Sequence, residues 1–184
     1  MKNKKIDIRS TTILGVRLKG KVAVAGDGQV TLGDMAMKQK AVKVRKFDSS
    51  KGGVVGGFAG AAADALTLFE KFEQKLDEYE GDLKRSVVEM AKDWRMDKML
   101  RHLEALLLVM DKKNSFIIAG DGNVIEPDSQ IVAIGSGGGY AQAAAAAFLK
   151  SSTYSAKKIA QESLKIASGL CIYTNDSISV IEII

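Results

Sequence analysis

Hydrophobic and polar residues alternate along the first third of the chain in the manner of β-strands. The stretches TTILGVRL (residues 11–18) and KVAVAGD (residues 21–27) are rich in β-branched residues and flank Lys19-Gly20, a dipeptide suited to a tight turn. The stretches AVKVRKF (residues 41–47) and VVGGFAG (residues 54–60) repeat this pattern around the loop DSSKGG. The first third of the chain is therefore predicted to form antiparallel β-hairpins.

The middle third changes to a helical period. Leu66, Phe69, Phe72 and Leu76 recur at spacings of three and four, and Gly81 marks a stop. A second helix is predicted over roughly residues 82–110, because an apolar stripe with spacings of four and three runs through Met96, Leu100, Leu103, Leu107 and Met110. The two helices are predicted to form an antiparallel pair.

The last third mixes strands and helices. Strands are predicted in SFIIAGDGNV, QIVAIGSG, LCIYT and ISVIEII, and helices in GGYAQAAAAAFLK and SAKKIAQESLKIA. Ala-Gly-Asp-Gly occurs at residues 25–28 and again at 119–122, and we interpret the second copy as turn chemistry. Segregated blocks of strands and helices predict the α+β class, with helices layered on antiparallel sheets.

Length and composition favour a single cytoplasmic domain. With 184 residues, 46% of them hydrophobic, the chain is long enough for one sizeable core. No apolar run reaches the roughly 18 residues needed to span a bilayer, and MKNKKIDIRS contains no apolar stretch of the kind found in secretion signals. The single cysteine, Cys171, has no intramolecular disulfide partner, which suits a reducing compartment.

The net charge of +5 invites comparison with nucleic-acid-binding proteins. Residues 1–10 carry four basic residues and one acidic residue, so this segment supplies three of the five net positive charges. The remainder of the chain has an ordinary charge for a soluble domain. We therefore expect neither a nucleic acid nor a membrane as a partner, and a steep salt dependence of DNA binding would be needed to support a phosphate- or nucleic-acid-binding function.

Several common catalytic arrangements do not fit this sequence. The single histidine, His102, lies in a predicted amphipathic helix, where a surface position is more usual than a catalytic one. Cys171 lies in an apolar run and is expected to be a buried, inert thiol. The sequence GSGGGYA lies between a strand and a helix, but it lacks the lysine and the glycine spacing of phosphate-binding loops.

Thr11 is the remaining candidate nucleophile. A hydroxyl needs a base near neutral pKa, and a free α-amino group has an ordinary pKa of about 7.7 to 8.0. Cleavage between Ser10 and Thr11 would place nucleophile and base on one residue. A charged lysine held by a carboxylate would lower the pKa of that amine, and Asp27 with Lys43 is one such pair. Other lysines compete for this role: Lys38, Lys40 and Lys46.

The sequences TTILGVRLKGKVAVAGDGQVTLG, VKVRK, GGFAGAAADALTLFEKFE, AKDWRMDKMLRHLEALLLV, AIGSGGGYAQAAA and CIYTN together resemble the HslV family. Members are proteolytic subunits of bacterial ATP-dependent HslUV proteases and relatives of proteasome β-subunits. The resemblance extends over residues 11 to about 182. It implies an N-terminal-nucleophile hydrolase fold, a four-layer αββα sandwich, and a threonine-type endopeptidase that forms an acyl-enzyme.

The resemblance also implies roles for individual residues. Thr11 would be the nucleophile, and its own amine would take up the proton. Asp27 and Lys43 would be the polar pair that tunes this amine, and Ser136 would complete the hydrogen-bond network. Gly57 would donate its backbone N–H to the oxyanion.

A sodium site built from backbone carbonyls is a further property of the family. Its usual pattern is glycine, then cysteine and threonine at intervals of three, and here the matching positions are Ser168, Cys171 and Thr174. Serine thus replaces glycine at the first position. The direction of a carbonyl ligand depends on the backbone angles. Whether these residues can bind sodium therefore depends on the backbone conformation at Ser168.

The resemblance implies an assembly as well. The family forms a homododecamer of two stacked hexameric rings, capped by the AAA+ ATPase HslU, which uses ATP to unfold protein substrates. Residues 1–10 precede the threonine pair and resemble a short propeptide, so residues 11–184 are expected to form the peptidase domain. The alternative is a non-catalytic ring subunit of the same fold, in which the leader stays attached and blocks the amine.

Overall fold

Two large β-sheets, a separate two-stranded hairpin and four helices make up the described part of the computed structural model, residues 11–60, 62–96 and 105–184. The strands are β1 (Thr12–Leu18), β2 (Lys21–Gly26), β3 (Val30–Leu32), β4 (Met35–Lys38), β5 (Val44–Phe47), β6 (Val54–Gly60), β7 (Ala105–Met110), β8 (Ser115–Ala119), β9 (Val124–Ile125), β10 (Ile131–Gly135) and β11 (Ser179–Ile183). The helices are α1 (Ala62–Glu78), α2 (Leu83–Met96), α3 (Gly138–Ser151) and α4 (Ala156–Ser168). The predicted leader, residues 1–10, and His102 lie outside the described residues.

The strands form two antiparallel sheets and one separate hairpin. The first sheet has the order β10-β1-β2-β11 and the second has the order β5-β6-β7-β8-β9. The predicted hairpins β1–β2 and β5–β6 are both present, with Thr12 of β1 facing Gly135 of β10 across the first sheet. The β1 strand therefore lies inside its sheet, and pairing on both sides fixes the position of the residue just before it, Thr11.

Three apolar layers hold the four structural layers together. Residues such as Ile13, Val24 and Leu108 pack between the two sheets. Phe47, Phe72 and Trp94 are among those packed between the second sheet and α1 with α2, and Leu14, Ala160 and Leu164 are among those between the first sheet and α3 with α4. Burial on both faces of both sheets gives the four-layer αββα sandwich, which confirms the predicted fold class.

The predicted second helix was too long. Its described part spans Leu83–Met96, and residues 105–110 form β7, so Leu107 and Met110 belong to a strand and not to a helical stripe. The run ALLLVM is compatible with both the helical and the strand period. It forms a strand because it pairs with β6 on one side and with β8 on the other. Leu100 and Leu103 of the predicted stripe lie outside the described residues.

Two further predictions need correction, and one hairpin was missed. In α1 the buried face contains Leu68, Phe69, Phe72 and Leu76, whereas Leu66 is 64% exposed. Residues 170–174, predicted as a strand, form turns and irregular structure after α4. The β3–β4 hairpin was not predicted, because every residue of β4 is exposed and its sequence, MAMK, carries no alternation of buried and exposed positions.

The second Ala-Gly-Asp-Gly sequence is a turn, as predicted. It connects β8 to β9, with the backbone N–H of Gly122 bonded to the carbonyl of Ala119 at 2.8 Å. The Asp121 carboxylate accepts the backbone N–H of Asn123 at 2.9 Å. Within the described residues, no helix combines the length and the apolar character needed to cross a membrane.

Candidate active site

Thr11 lies directly before β1 and is almost completely buried, with 1% of its surface exposed. Its carbonyl accepts the backbone N–H of Ser136 at 3.0 Å, which continues the pairing of β1 with β10. Gly135 makes this approach feasible, because its φ is +90° and a Cβ there would lie 2.0 Å from the Thr11 carbonyl oxygen. The Oγ1 atom of Thr11 is buried and has no hydrogen-bond partner among the described residues.

A cleft of about 200 Å³ opens beside Thr11. The residues that line it are mostly apolar: Val30, Lys38, Ala41, Val42, Lys43, Phe58, Gly60, Leu66 and Phe69. Leu66, which the sequence pattern assigned to the core, lies here. Leu66 is exposed because it forms part of the wall of the cleft.

Asp27 and Lys43 form a buried ion pair at this cleft. The Lys43 Nζ lies 3.0 Å from Asp27 Oδ1, and the two side chains are 2% and 0% exposed. Lys43 Nζ also donates a hydrogen bond to the carbonyl of Gln29. Burial lowers the pKa of the Lys43 ammonium, and the adjacent Asp27 carboxylate opposes that shift.

Backbone donors hold the Asp27 carboxylate in place. Its Oδ1 accepts the N–H of Thr12 at 2.8 Å, and its Oδ2 accepts the N–H of Gln29 at 2.9 Å and of Asn175 at 3.4 Å. A carboxylate with this many donors remains an effective partner for Lys43 despite its burial. Asp27 is thus joined by one bond to Thr12, the neighbour of Thr11.

The structure distinguishes Lys43 from the other lysines that the sequence left open. Lys38, Lys40 and Lys46 are exposed, and Lys46 pairs with Asp48 at 3.2 Å on the surface. Lys38 lies at the rim of the cleft. Lys43 is the lysine that is buried beside Asp27.

Gly57 and Ser136 occupy different positions relative to Thr11. A Cβ at Gly57 would lie 2.7 Å from Ile13 Cγ2, so this glycine allows the two sheets to pack closely. The structure does not place Gly57 among the residues of the cleft. Ser136 contacts Thr11 through its backbone N–H, and its side chain is exposed.

Gly60, which sequence reasoning did not select, lines the cleft instead. The N–H of Phe58 donates to the carbonyl of Lys43 at 3.2 Å, on the β5 side of β6. Successive N–H groups of a strand point to opposite sides, so the N–H of Gly57 points toward β7, where Leu108 faces it, and Gly60 lies at the end of β6 that borders the cleft. Gly60 has a φ of +141°, which favours glycine.

The segment after α4 contains the three residues of the predicted sodium site. Ser168 is the last residue of α4, and its backbone is helical, so serine fits this position as well as glycine does. The Cys171 carbonyl accepts the N–H of Thr174 at 3.0 Å and keeps its second lone pair. The Thr174 hydroxyl lies 2.7 Å from that of Thr12, which also accepts the N–H of Gly137 at 2.9 Å.

Similarity to known proteins extends over nearly the whole chain. The proteasome subunit family matches residues 8–183 of the chain. The ATP-dependent protease subunit HslV of Treponema denticola is 55% identical over 176 residues, which are 96% of this chain and 98% of that protein. The chain belongs to the HslV branch of the proteasome family. The HslV of Aquifex aeolicus is 54% identical over 178 residues, or 97% of this chain and 100% of that protein.

Solved structures show the same fold for this HslV-family chain. The HslV of Trypanosoma brucei superimposes with a TM-score of 0.85 at 44% identity, covering 93% of this chain and 98% of the other. A protein described as BPH of Thiobacillus denitrificans superimposes with a TM-score of 0.74 at 19% identity, covering 94% and 97% of the two chains, and supports the fold alone. As a member of this family, the chain is a proteasome-like peptidase.

Proposed function

We propose that this chain is a threonine endopeptidase subunit whose nucleophile is Thr11. The observation that carries the proposal is the buried, unpartnered Oγ1 of Thr11 beside an apolar cleft and the Asp27–Lys43 pair. Because this hydroxyl has no other hydrogen-bond partner, the α-amine released by cleavage could accept its proton without competition, and the cleft offers space for a substrate side chain. The strand pairing of β1 holds this residue in place, as a preorganised nucleophile requires.

In the proposed reaction, cleavage before Thr11 first releases its α-amine. Thr11 Oγ1 then attacks the carbonyl carbon of the scissile peptide bond, and the hydroxyl proton passes to the amine. The tetrahedral intermediate collapses as the C–N bond breaks, and the leaving amine takes up that proton. Water, activated by the same amine, hydrolyses the resulting ester and restores Thr11.

Lys43 supports the amine through its charge. An ammonium held beside Asp27 repels a second positive charge nearby, so the Thr11 amine stays unprotonated more readily and accepts the hydroxyl proton. Asp27 keeps Lys43 in position, and through Thr12 N–H it is connected to the β1 backbone. Within this proposal, the pair tunes the base and does not itself contact the scissile bond.

We assign the oxyanion donor to the backbone N–H of Gly60, in place of Gly57. By strand alternation from Phe58, the N–H of Gly60 would lie on the β5 side of β6, beside the cleft, whereas the N–H of Gly57 lies on the β7 side. A preorganised N–H directed at the developing negative charge stabilises the transition state. The crystal structure of the mature chain with a peptide aldehyde bound to Thr11 is expected to show the hemiacetal oxygen about 3 Å from Gly60 N. An oxygen placed against Gly57 N would contradict the assignment.

Removal of residues 1–10 is the first step that the proposed reaction requires. The intact mass of the protein purified from its own cells is expected to correspond to a chain that begins at Thr11. A chain that begins at Met1 would carry an amide at Thr11 in place of a base, and would support the non-catalytic ring subunit instead. The Thr11→Ala variant, expressed in the same cells, shows whether removal depends on the Thr11 hydroxyl.

The proposed assembly encloses the nucleophile. Relatives are named subunits of an ATP-dependent protease, and we propose that this chain forms a homododecamer of two hexameric rings with the ATPase HslU as its partner. ATP would then be used by the partner to unfold and deliver protein substrates. Enclosure within rings in the cytoplasm would protect folded cellular proteins from a site that attacks peptide bonds in general.

We also propose a sodium ion at the carbonyls of Ser168, Cys171 and Thr174. The Ser168 carbonyl at the negative end of the α4 dipole and the second lone pair of the Cys171 carbonyl suit a hard cation, and the helical backbone at Ser168 accommodates serine. When bound, the ion would supply positive charge that orders this segment. Replacing NaCl by choline chloride at equal ionic strength is expected to lower the melting temperature by about 2–4 °C. An unchanged melting temperature would contradict the proposal.

A further inference from the structure

Asn175 lies where three segments of the chain meet beside the Asp27–Lys43 pair. Its Oδ1 accepts the backbone N–H of Gly28 at 3.0 Å and of Ser177 at 3.3 Å. Its Nδ2 donates to the carbonyl of Gln39 at 2.9 Å and to Gln39 Oε1 at 2.8 Å. The partners determine the orientation of the amide, because only oxygen accepts from two N–H groups and only nitrogen donates to two oxygens.

Asn175 also contacts the Asp27 carboxylate through its backbone N–H. The N–H of Asn175 donates to Asp27 Oδ2 at 3.4 Å. Gly28, which follows Asp27, packs closely against the same junction, since a Cβ there would lie 2.4 Å from the Gln39 carbonyl oxygen. Asn175 thus contacts both the segment that carries Asp27 and the segment that contains Gln39.

The segment around Gln39 forms one wall of the cleft. Lys38, Ala41 and Val42 all line the cleft, and the Gln39 side chain is exposed. The N–H of Ala41 donates to the carbonyl of Gly28 at 2.9 Å, which ties the wall to the Asp27 segment at one point. The two bonds from Asn175 Nδ2 provide the second attachment, one residue before Lys40.

We propose that Asn175 is a positioning residue that fixes the 38–42 wall relative to Asp27 and thereby sets which substrate side chains the cleft accepts. The proposal rests on the proposed peptidase function, since it assigns the selectivity of that same cleft. Asparagine suits the role because its amide combines two donors with two acceptor positions. Aspartate would keep the bonds from Gly28 and Ser177 but would turn a carboxylate oxygen toward two oxygens of Gln39.

The test compares Asn175→Asp with the parent chain on fluorogenic peptides that differ only in the residue before the cleaved bond. Large apolar residues (leucine, phenylalanine) are compared with alanine, with and without HslU. For peptides with a large residue before the cleaved bond, kcat/KM is expected to fall by about 10-fold, because two neutral hydrogen bonds are lost. Most of this fall is expected to come from a higher KM, and the fall for the alanine peptide is expected to be smaller. Gln39→Ala is expected to change selectivity in the same direction by a smaller factor, because the carbonyl at position 39 remains.

The matched control is Asn123→Asp, the same change in the β8–β9 turn, which is expected to leave the selectivity unchanged. If Asn175 and Gln39 act through their mutual bond, the effect of Asn175→Asp will be smaller in the Gln39→Ala background. An unchanged selectivity ratio, or an equal fall in kcat for every peptide, would overturn the proposal. If Asn175→Asp fails to fold, the Gln39→Ala variant tests the proposal by the same measure, the ratio of kcat/KM for the large residues to kcat/KM for alanine. A parent chain that cleaves no peptide, in the form beginning at Thr11, would overturn the peptidase function as well.

Discussion

Thr11→Ala is expected to abolish peptide hydrolysis, with kcat reduced by roughly 10⁴–10⁶-fold, while the fold and the assembly remain intact. The substitution removes Oγ1, which makes no hydrogen bond within the described part of the chain, so no buried partner is left unsatisfied. The strand pairing of β1 depends on the backbone and is unaffected. Hydrolysis of a fluorogenic peptide and of an unfolded protein, together with the melting temperature and the size of the assembly, measures both parts of this expectation.

Two further variants complete the experiment on Thr11. Thr11→Ser keeps a hydroxyl and is expected to retain measurable turnover. Thr153→Ala makes the same chemical change at an exposed position and is expected to behave like the parent chain. Turnover by Thr11→Ala at a rate comparable to that of the parent chain would exclude Thr11 as the nucleophile.

Lys43→Met is expected to have the second largest effect, because it changes both activity and stability. Removing the ammonium leaves Asp27 as a buried carboxylate without its cation, a change that costs about 3–5 kcal/mol in the free energy of unfolding. Loss of the charge beside the Thr11 amine is expected to reduce kcat by about 10²-fold or more. Chemical denaturation and peptide hydrolysis, expressed per folded protein, measure the two effects separately.

The control for Lys43 is its exposed neighbour Lys46. Lys46→Met removes a surface ion pair with Asp48 and is expected to change stability by no more than about 0.5 kcal/mol and activity not at all. If Lys43→Met folds and turns over peptides as fast as the parent chain, the proposed role of the Asp27–Lys43 pair is excluded.

The burial of Lys43 is itself unfavourable for stability. Desolvation lowers the pKa of its ammonium below the ordinary value near 10.5, so at neutral pH the folded chain holds a proton less tightly than the unfolded chain does. This penalty is present below the folded pKa and diminishes as the pH rises from there to the unfolded pKa. A buried charge retained at such a cost indicates a site arranged for chemistry.

Local patterns in the sequence were sufficient for much of the architecture. The hairpins β1–β2 and β5–β6 were predicted correctly, because alternating β-branched residues and short turns act over a few neighbouring residues. Residues 105–110 were not, because an apolar run of six residues has no period of its own. Its strand conformation comes from pairing with β6 and β8, which are distant in sequence or follow later.

By itself, the sequence determined the α+β class, the candidate threonine and the residue types that could tune it, since these follow from composition, local period and chemical reactivity. Local patterns left four lysines open, and the tertiary structure showed that Lys43, the lysine implied by the family resemblance, is the one buried beside Asp27. The tertiary structure also placed Gly60 at the cleft and gathered Asn175, Gln39 and Asp27 at one junction. The packing of distant segments decides which side chains are buried. It also decides which residues meet across long separations, such as the 136 residues between Gln39 and Asn175. No local pattern in the sequence contains that information.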